Sequence, residues 1–158
     1  MPSPRFMSKK GERFLMNQEG TRRNAAGLHV PYICPAGKWT LGYGEVITAA
    51  QAQQFKECIT DEYAAARFNT KLRPFVEAMD KAIKVEVMPE QFDMVVSIAY
   101  NNGIDAIAKS TLMRKLNAKD FAGAAKEFLR WNHIGTKVCD GLTARRKREM
   151  QIFTEGYK

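Results

Sequence analysis

The sequence predicts an α+β fold, mostly α, with one small sheet in its N-terminal part. Three observations carry this. Apolar residues recur at helical spacing in several stretches, as in Phe92, Val95, Val96, Ala99 and Tyr100, or Phe121, Ala124, Ala125, Phe128 and Trp131. Trp39, Leu41 and Tyr43 alternate with Thr40, Gly42 and Gly44 behind a turn-forming Cys34-Pro35-Ala36-Gly37, the pattern of a β-hairpin. The length, 158 residues without repeats or low-complexity tracts, suits one ordinary compact unit, or two lobes sharing a helix.

Each element follows from local chemistry. Phe14 and Leu15, one helical repeat beyond Met7 and Gly11, place a short first helix ending near Glu19-Gly20. Residues 21–30 are polar and turn-like, so they read as a loop, with His29 a solvated loop histidine. The hairpin occupies roughly Pro31 to Val46, with glycines where backbone or ligand comes close. Thr48-Ala49-Ala50-Gln51 is a capping box and starts a helix.

A further helical segment begins near Thr60 and carries Phe68, Leu72, Phe75 and Met79 on one stripe. Pro74 lies inside that pattern and is expected to kink or break it. Pro89 suits the first turn of the next helix, whose only polar strip is Asp93, Ser97 and Asn101, so this helix should be mostly buried. Asn117 and Asp120 form a cap region before the helix of Phe121. Leu142, Arg145, Glu149 and Phe153 line one face of the last helix, while Arg146, Lys147 and Arg148 read as exposed. Trp39 and Trp131 read as core.

Composition narrows the function. The formal charge is +8, from 25 Lys and Arg against 17 Asp and Glu. Such a surface attracts polyanions, but no RNP-like, zinc-finger or Gly-rich phosphate signature points to nucleic acid. Cys34, Cys58 and Cys139 cannot all pair within one chain, and the basic N-terminus lacks the apolar core of a signal peptide, so reduced thiols in a cytoplasm are expected. No run approaches the ~20 apolar residues of a membrane span, so no membrane insertion is expected. No His, Cys and Asp cluster has metal-ligand spacing; neither metal nor cofactor is expected.

Glu19 is the leading candidate for chemistry. It follows an apolar helix face and precedes the glycine-rich hairpin, where partial burial would suit a carboxylic acid to donate a proton. A solvated helix-end glutamate is the bland alternative.

Six ordered blocks resemble one family. They are Glu19-Gly20 with Tyr32 to Gly44, Ile47 to Ala52, Glu90 to Ser97, Tyr100-Asn101-Asn102-Gly103 with Ser110 to Asn117, Phe128 to Trp131, and Gly141 to Arg146. Together they are similar to the phage-type lysozymes, glycoside hydrolase family 24, over roughly Glu12 to Phe153. The resemblance implies a lysozyme-like two-lobed fold with a small N-terminal hairpin sheet and a helical C-terminal lobe. It divides a single 1–158 domain into an N-lobe (about 12–59), a linking helical segment (about 60–82) and a C-lobe (about 83–158).

The resemblance also implies roles. Glu19 is the general acid, and Thr40 orients a water on the opposite sugar face. Cys34 stands where the family has Asp or Cys and keeps the family's spacing to Thr40. It is a nucleophile or base only if its pKa is lowered, for which Lys38 is at hand, and otherwise a packing thiol. Glu45, where the family commonly has histidine, is a second candidate for the base. Arg145 partners the catalytic glutamate, and Tyr100, Asn101 and Thr111 line the far wall of the cleft. Fourteen residues separate Glu19 from Cys34, more than in the family, which points to an inserted surface loop around Asn24 to Val30.

The implied activity is hydrolysis of the β-1,4 bond between N-acetylmuramic acid and N-acetylglucosamine in peptidoglycan, by a monomeric endolysin. It would wait in the host cytoplasm until a holin-type lesion admits it to the periplasm and cell wall. Two readings compete: a lytic transglycosylase on the same scaffold, and a non-catalytic peptidoglycan-binding protein.

Overall fold

Helix α1 (Lys9–Gln18) starts where the Ser8 hydroxyl accepts the Gly11 N–H at 3.0 Å and ends one residue before Glu19, as the spacing predicts. In this computed structural model residues 3–19, 21–34, 36–55 and 58–157 are described; Gly20 and Pro35, parts of two of the sequence signals, lie outside them. The chain divides into two compact units, Leu15–Arg73, and Met1–Phe14 with Pro74–Lys158.

In the first unit the hairpin region is a three-stranded antiparallel sheet of β1 (Tyr32–Ile33), β2 (Trp39–Leu41) and β3 (Glu45–Val46), with β2 in the middle. Tyr32 pairs with Thr40, and Thr40 with Val46. Leu41 packs with Ile47, Ala52, Ile59 and Ala64 into the unit's core, with Tyr43 and Phe55 at its edge. The capping box is present: Thr48 and Gln51 exchange both bonds at the start of α2 (Ala49–Gln54).

Two expectations are corrected here. Trp39 is not core: it opens β2 at the end of the strand pair and stands exposed opposite the exposed Ile33, while Thr40 and Leu41 after it are buried. His29 is not solvated but fully buried. Its ring nitrogens lie 2.7 Å from the Thr21 hydroxyl and 2.7 Å from Asp61, its backbone exchanges two 2.9 Å bonds with Ile59, and its ring meets Tyr43 edge-on. A buried imidazole keeps both nitrogens satisfied, and here that requirement ties the loop of residues 21–30 to the helix that follows α2.

That helix, α3 (Asp61–Ala82), runs through Pro74 without a break. Proline forfeits one backbone bond, but Leu72, Val76 and Met79 around it are buried, and each buried aliphatic side chain is worth about 1.5–3 kcal/mol. The predicted interruption is therefore overridden by packing.

In the second unit α4 (Pro89–Asn102) has every side chain from Phe92 to Ala99 buried, and it packs against α8 (Asp140–Glu155). Between them come α5 (Ile104–Ala108), α6 (Thr111–Asn117), α7 (Phe121–Glu127), a 3-10 turn at Phe128–Arg130, and a two-stranded ribbon of β4 (His133–Ile134) and β5 (Lys137–Val138). Ser110 caps α6 and Asp120 caps α7 through their side chains. The buried Asp93 accepts bonds from the Ser8 N–H and hydroxyl and, at 2.6 Å, from the Tyr157 hydroxyl. Gly11 is obligatory beside it, since a Cβ there would fall 2.5 Å from the Asp93 carboxyl carbon.

Arg146, expected on the surface, is fully buried. Its guanidinium lies 2.9 Å from Glu149 and donates to Asn101 at 2.6 Å. Helical rotation puts Arg145 and Arg146 on either side of Glu149, so one buried carboxylate draws in two cations; Arg145 approaches it at 3.5 Å. Glu149 also accepts the Ser97 hydroxyl at 2.5 Å. Among the described residues no helix is long and apolar enough to cross a membrane.

Candidate active site

The first unit brings together four of the predicted residues. Glu19 is half-buried directly beyond α1, its N–H bonded to the Leu15 carbonyl at 3.1 Å while the Leu15 side chain is fully buried. The last turn of the helix thus holds the glutamate's backbone. Its carboxylate rests on Gly44: a Cβ at that position would lie 2.5 Å from Oε2, and Gly44 has φ of +80°. Both the close approach and the left-handed backbone demand glycine there.

Tyr32 connects Glu19 to the sheet. Burial raises the pKa of its phenol, and the neighbouring Cys34 and Glu19 raise it further, against the Arg22 guanidinium 5.7 Å from the ring. One aromatic ring therefore lies within electrostatic reach of both Glu19 and Cys34. Its cross-strand partner is Thr40, buried at the centre of the sheet.

Cys34 sits at the start of a tight turn in which its N–H donates to the Lys38 carbonyl at 2.9 Å. The Lys38 backbone N–H, and next the Thr40 hydroxyl, hold the Cys34 thiol below its ordinary pKa. The backbone of Lys38, rather than its ammonium, is the main help. The Thr40 hydroxyl also donates to the Lys38 carbonyl at 3.0 Å, so its one proton serves either that carbonyl or the thiolate. Under limiting iodoacetamide at neutral pH, Cys34 is expected to alkylate before Cys58 and Cys139, as read by peptide mass mapping. Equal labelling of the three would contradict a lowered thiol pKa.

Glu45 is engaged by Arg67, whose Nε and Nη2 reach its two oxygens at 2.8 to 3.1 Å. Arg67 is itself stacked over Phe55 at 4.8 Å and Tyr63 at 5.6 Å. A carboxylate clamped in this way is a structural anchor for β3 more than a base. One turn along α3, the Lys71 ammonium donates to the Gly44 carbonyl at 3.2 Å. Arg67 and Lys71 were not evident in the sequence, where nothing separates them from other helix-surface cations.

The remaining candidates belong to the second unit. Tyr100 is half-buried near the end of α4, with Phe75 at 5.1 Å. Asn101 holds Arg146, and Thr111 accepts a bond from Arg114 at 2.6 Å. Thr111 also lines a groove of about 420 Å³ with Ser110, Arg114 and Trp131; Trp131 is half-buried rather than central to the core. Arg145 donates to the Ser97 carbonyl at 3.4 Å beside Glu149. Among the described residues no three His, Cys, Asp or Glu side chains converge as metal ligands.

The chain is similar to known proteins. An endolysin of Bacillus phage B103 is 38% identical over 151 residues, covering 95% of this chain and 54% of its own length. The chain spans about half the length of the two Bacillus phage endolysins it matches, 54% and 45%. The solved endolysin from Escherichia coli O157:H7 phage FAHEc1 superposes with a TM-score of 0.86 at 30% identity, over 99% of this chain and 98% of that one. A muramidase domain from Asticaccaulis excentricus gives 0.78 at 28% identity, over 94% and 97%. Such superpositions make the fold the lysozyme-like α+β fold that the sequence predicts. The family model for phage lysozyme matches residues 18–149, from the residue before Glu19 to the buried Glu149, and the chain belongs to that family.

Proposed function

We propose that the protein is a peptidoglycan-degrading endolysin that hydrolyses the β-1,4 bond between N-acetylmuramic acid and N-acetylglucosamine. The observation that carries this is the seat of Glu19, half-buried at a helix end with its carboxylate against a glycine of the turn between β2 and β3. A carboxylic acid held there donates its proton to the glycosidic oxygen as the bond to the anomeric carbon lengthens. Thr40 uses its hydroxyl oxygen to orient the attacking water, and the Cys34 thiolate assists by accepting a proton. Tyr100, Asn101 and Thr111 are read as sugar contacts, and Arg145 as a supporting cation. The protein acts as a monomer, is held in the host cytoplasm before lysis, and needs a membrane lesion to reach the wall.

One observation favours the transglycosylase alternative. Glu45, the carboxylate nearest in sequence to the catalytic hairpin's end, is occupied by Arg67, and the base position holds a thiol. In a transglycosylase the muramic acid's own hydroxyl attacks, and no base-activated water is needed. Mass spectrometry of fragments released from purified peptidoglycan separates the two. Reducing muramic acid ends are expected, anhydro ends would assign a transglycosylase, and sedimentation with the glycan without release would leave a binding protein.

A further inference from the structure

Residues 21–30 form a tight hairpin rather than a slack loop. The Val30 N–H donates to the Arg22 carbonyl and the Asn24 N–H to the Leu28 carbonyl, each at 2.9 Å, and the chain reverses at Gly27, whose φ is +81°. Asn24 closes the turn by accepting the Ala26 and Leu28 N–H groups on its side-chain oxygen. Extended backbone sends successive side chains to opposite faces. Thr21 and Arg23 accordingly share one face, where Thr21 meets the ring of the buried His29 and Arg23 pairs with Asp61. Arg22, between them, takes the other face, and its guanidinium lies over the ring of Tyr32 at 5.7 Å. Tyr32 is the ring within electrostatic reach of Glu19 and Cys34, and it pairs with Thr40.

We propose that Arg22 is a specificity-determining residue, a cation held at the rim of the candidate active site to bind a carboxylate on the lactyl arm of N-acetylmuramic acid. The proposal rests on the muramidase reading and names the feature of the substrate that this site selects. N-acetylmuramic acid differs from N-acetylglucosamine by that arm, which ends in a carboxyl group and carries the acidic peptide stem. The shared chemistry is therefore a carboxylate, the arm's own or the stem's. A guanidinium offers carboxylates a planar fork of N–H donors, and contact with a ring face does not use that fork. Arg22 is exposed, so a ligand can reach it. Its neighbour Arg23 differs, being committed to Asp61 and, at 2.9 Å, to the Gly27 carbonyl. Ordering a long side chain at the moment of binding costs affinity. The hairpin lowers that cost, because His29 and Arg23 fasten its strands to the start of α3 while Tyr32 supports the guanidinium.

The test uses soluble glycan strands of three kinds: with intact peptide stems, with the same stems after their carboxylates are converted to methylamides, and with the stems removed by an amidase to leave the lactyl carboxylate. For the unmodified protein, methylamidation is expected to raise KM about tenfold with kcat little changed. Arg22→Gln should raise KM on intact strands by a similar factor and leave KM on methylamidated strands where it was. Arg22→Lys, which keeps the charge and loses the fork, should fall between. An Arg22 effect that survives on amidase-treated strands assigns the lactyl carboxylate; one seen only with stems assigns the peptide's, and either supports the proposal. An Arg22→Gln KM within about twofold of the original on intact strands would overturn it. So would an equal rise on intact and methylamidated strands, the signature of a merely structural change. If no strand is cleaved, the muramidase reading fails on its own, and sedimentation with the same strands still reads Arg22: equal binding of intact and methylamidated strands would overturn the proposal.

Discussion

Glu19→Gln is expected to reduce muropeptide release by about a thousandfold while the protein still folds and still sediments with peptidoglycan. Glutamine matches glutamate in size, so the contact with Gly44 and the bond of its N–H to Leu15 persist. What disappears is the ability to hand over a proton, and positioned acid or base groups contribute about 10²–10⁴-fold to such reactions. The comparison is therefore chemical rather than structural, provided that the melting temperature is unchanged. Glu19→Asp is a useful companion. It keeps the proton but draws the carboxyl back from Gly44, so it should fall between the two. If Glu19→Gln releases fragments at the original rate, the carboxylate on Gly44 is not the acid. If the unmodified protein binds glycan and neither form releases anything, the protein is a wall-binding module.

The largest effect on stability is expected at Glu149. This carboxylate is fully buried between Arg145 and Arg146 and receives the Ser97 hydroxyl. Burial pushes its pKa up, while Arg146, and then Arg145, pull it back down. Glu149→Ala would strip the anion from beside two buried guanidiniums, a change that costs about 3–5 kcal/mol when one partner of a buried ion pair is removed. Urea unfolding monitored by circular dichroism measures it. The Glu149→Met, Arg146→Met double variant should lose less than the sum of the single changes, since it removes both members of the closer pair and leaves apolar bulk in their place. Additive losses in that cycle would mean that Glu149 and Arg146 stabilise α8 independently of one another.

Much of the helical framework was legible because its signals are local. Thr48 with Gln51, Pro89 and Asp120 each act on backbone groups within four residues, and each starts a helix where expected. The burial of α4 was readable from its narrow polar strip, and the order of the family blocks placed Glu19 next to the hairpin. Pro74 was expected to kink or break its helix and does not break it: a proline's local cost was outweighed by the buried stripe around it.

His29, Arg146 and Lys71 were illegible, and they share a cause. The burial of a polar or cationic side chain depends on a partner distant in sequence, as with His29 and Asp61 across 32 residues or Arg146 and Asn101 across 45. Trp39 is exposed at the outer end of the strand pair, opposite Ile33, a placement that alternation alone does not report.

By itself the sequence determined the fold class, the family and the candidates Glu19, Cys34 and Thr40, because caps, periodicity and motif order are properties of neighbouring residues. Only the tertiary structure decided that Gly44 is the seat of Glu19, that Arg67 claims Glu45, and that Lys71 stands behind both. Those pairings depend on how α3 is rotated against the sheet. That rotation is set by packing summed over the whole core, which no short stretch of sequence contains.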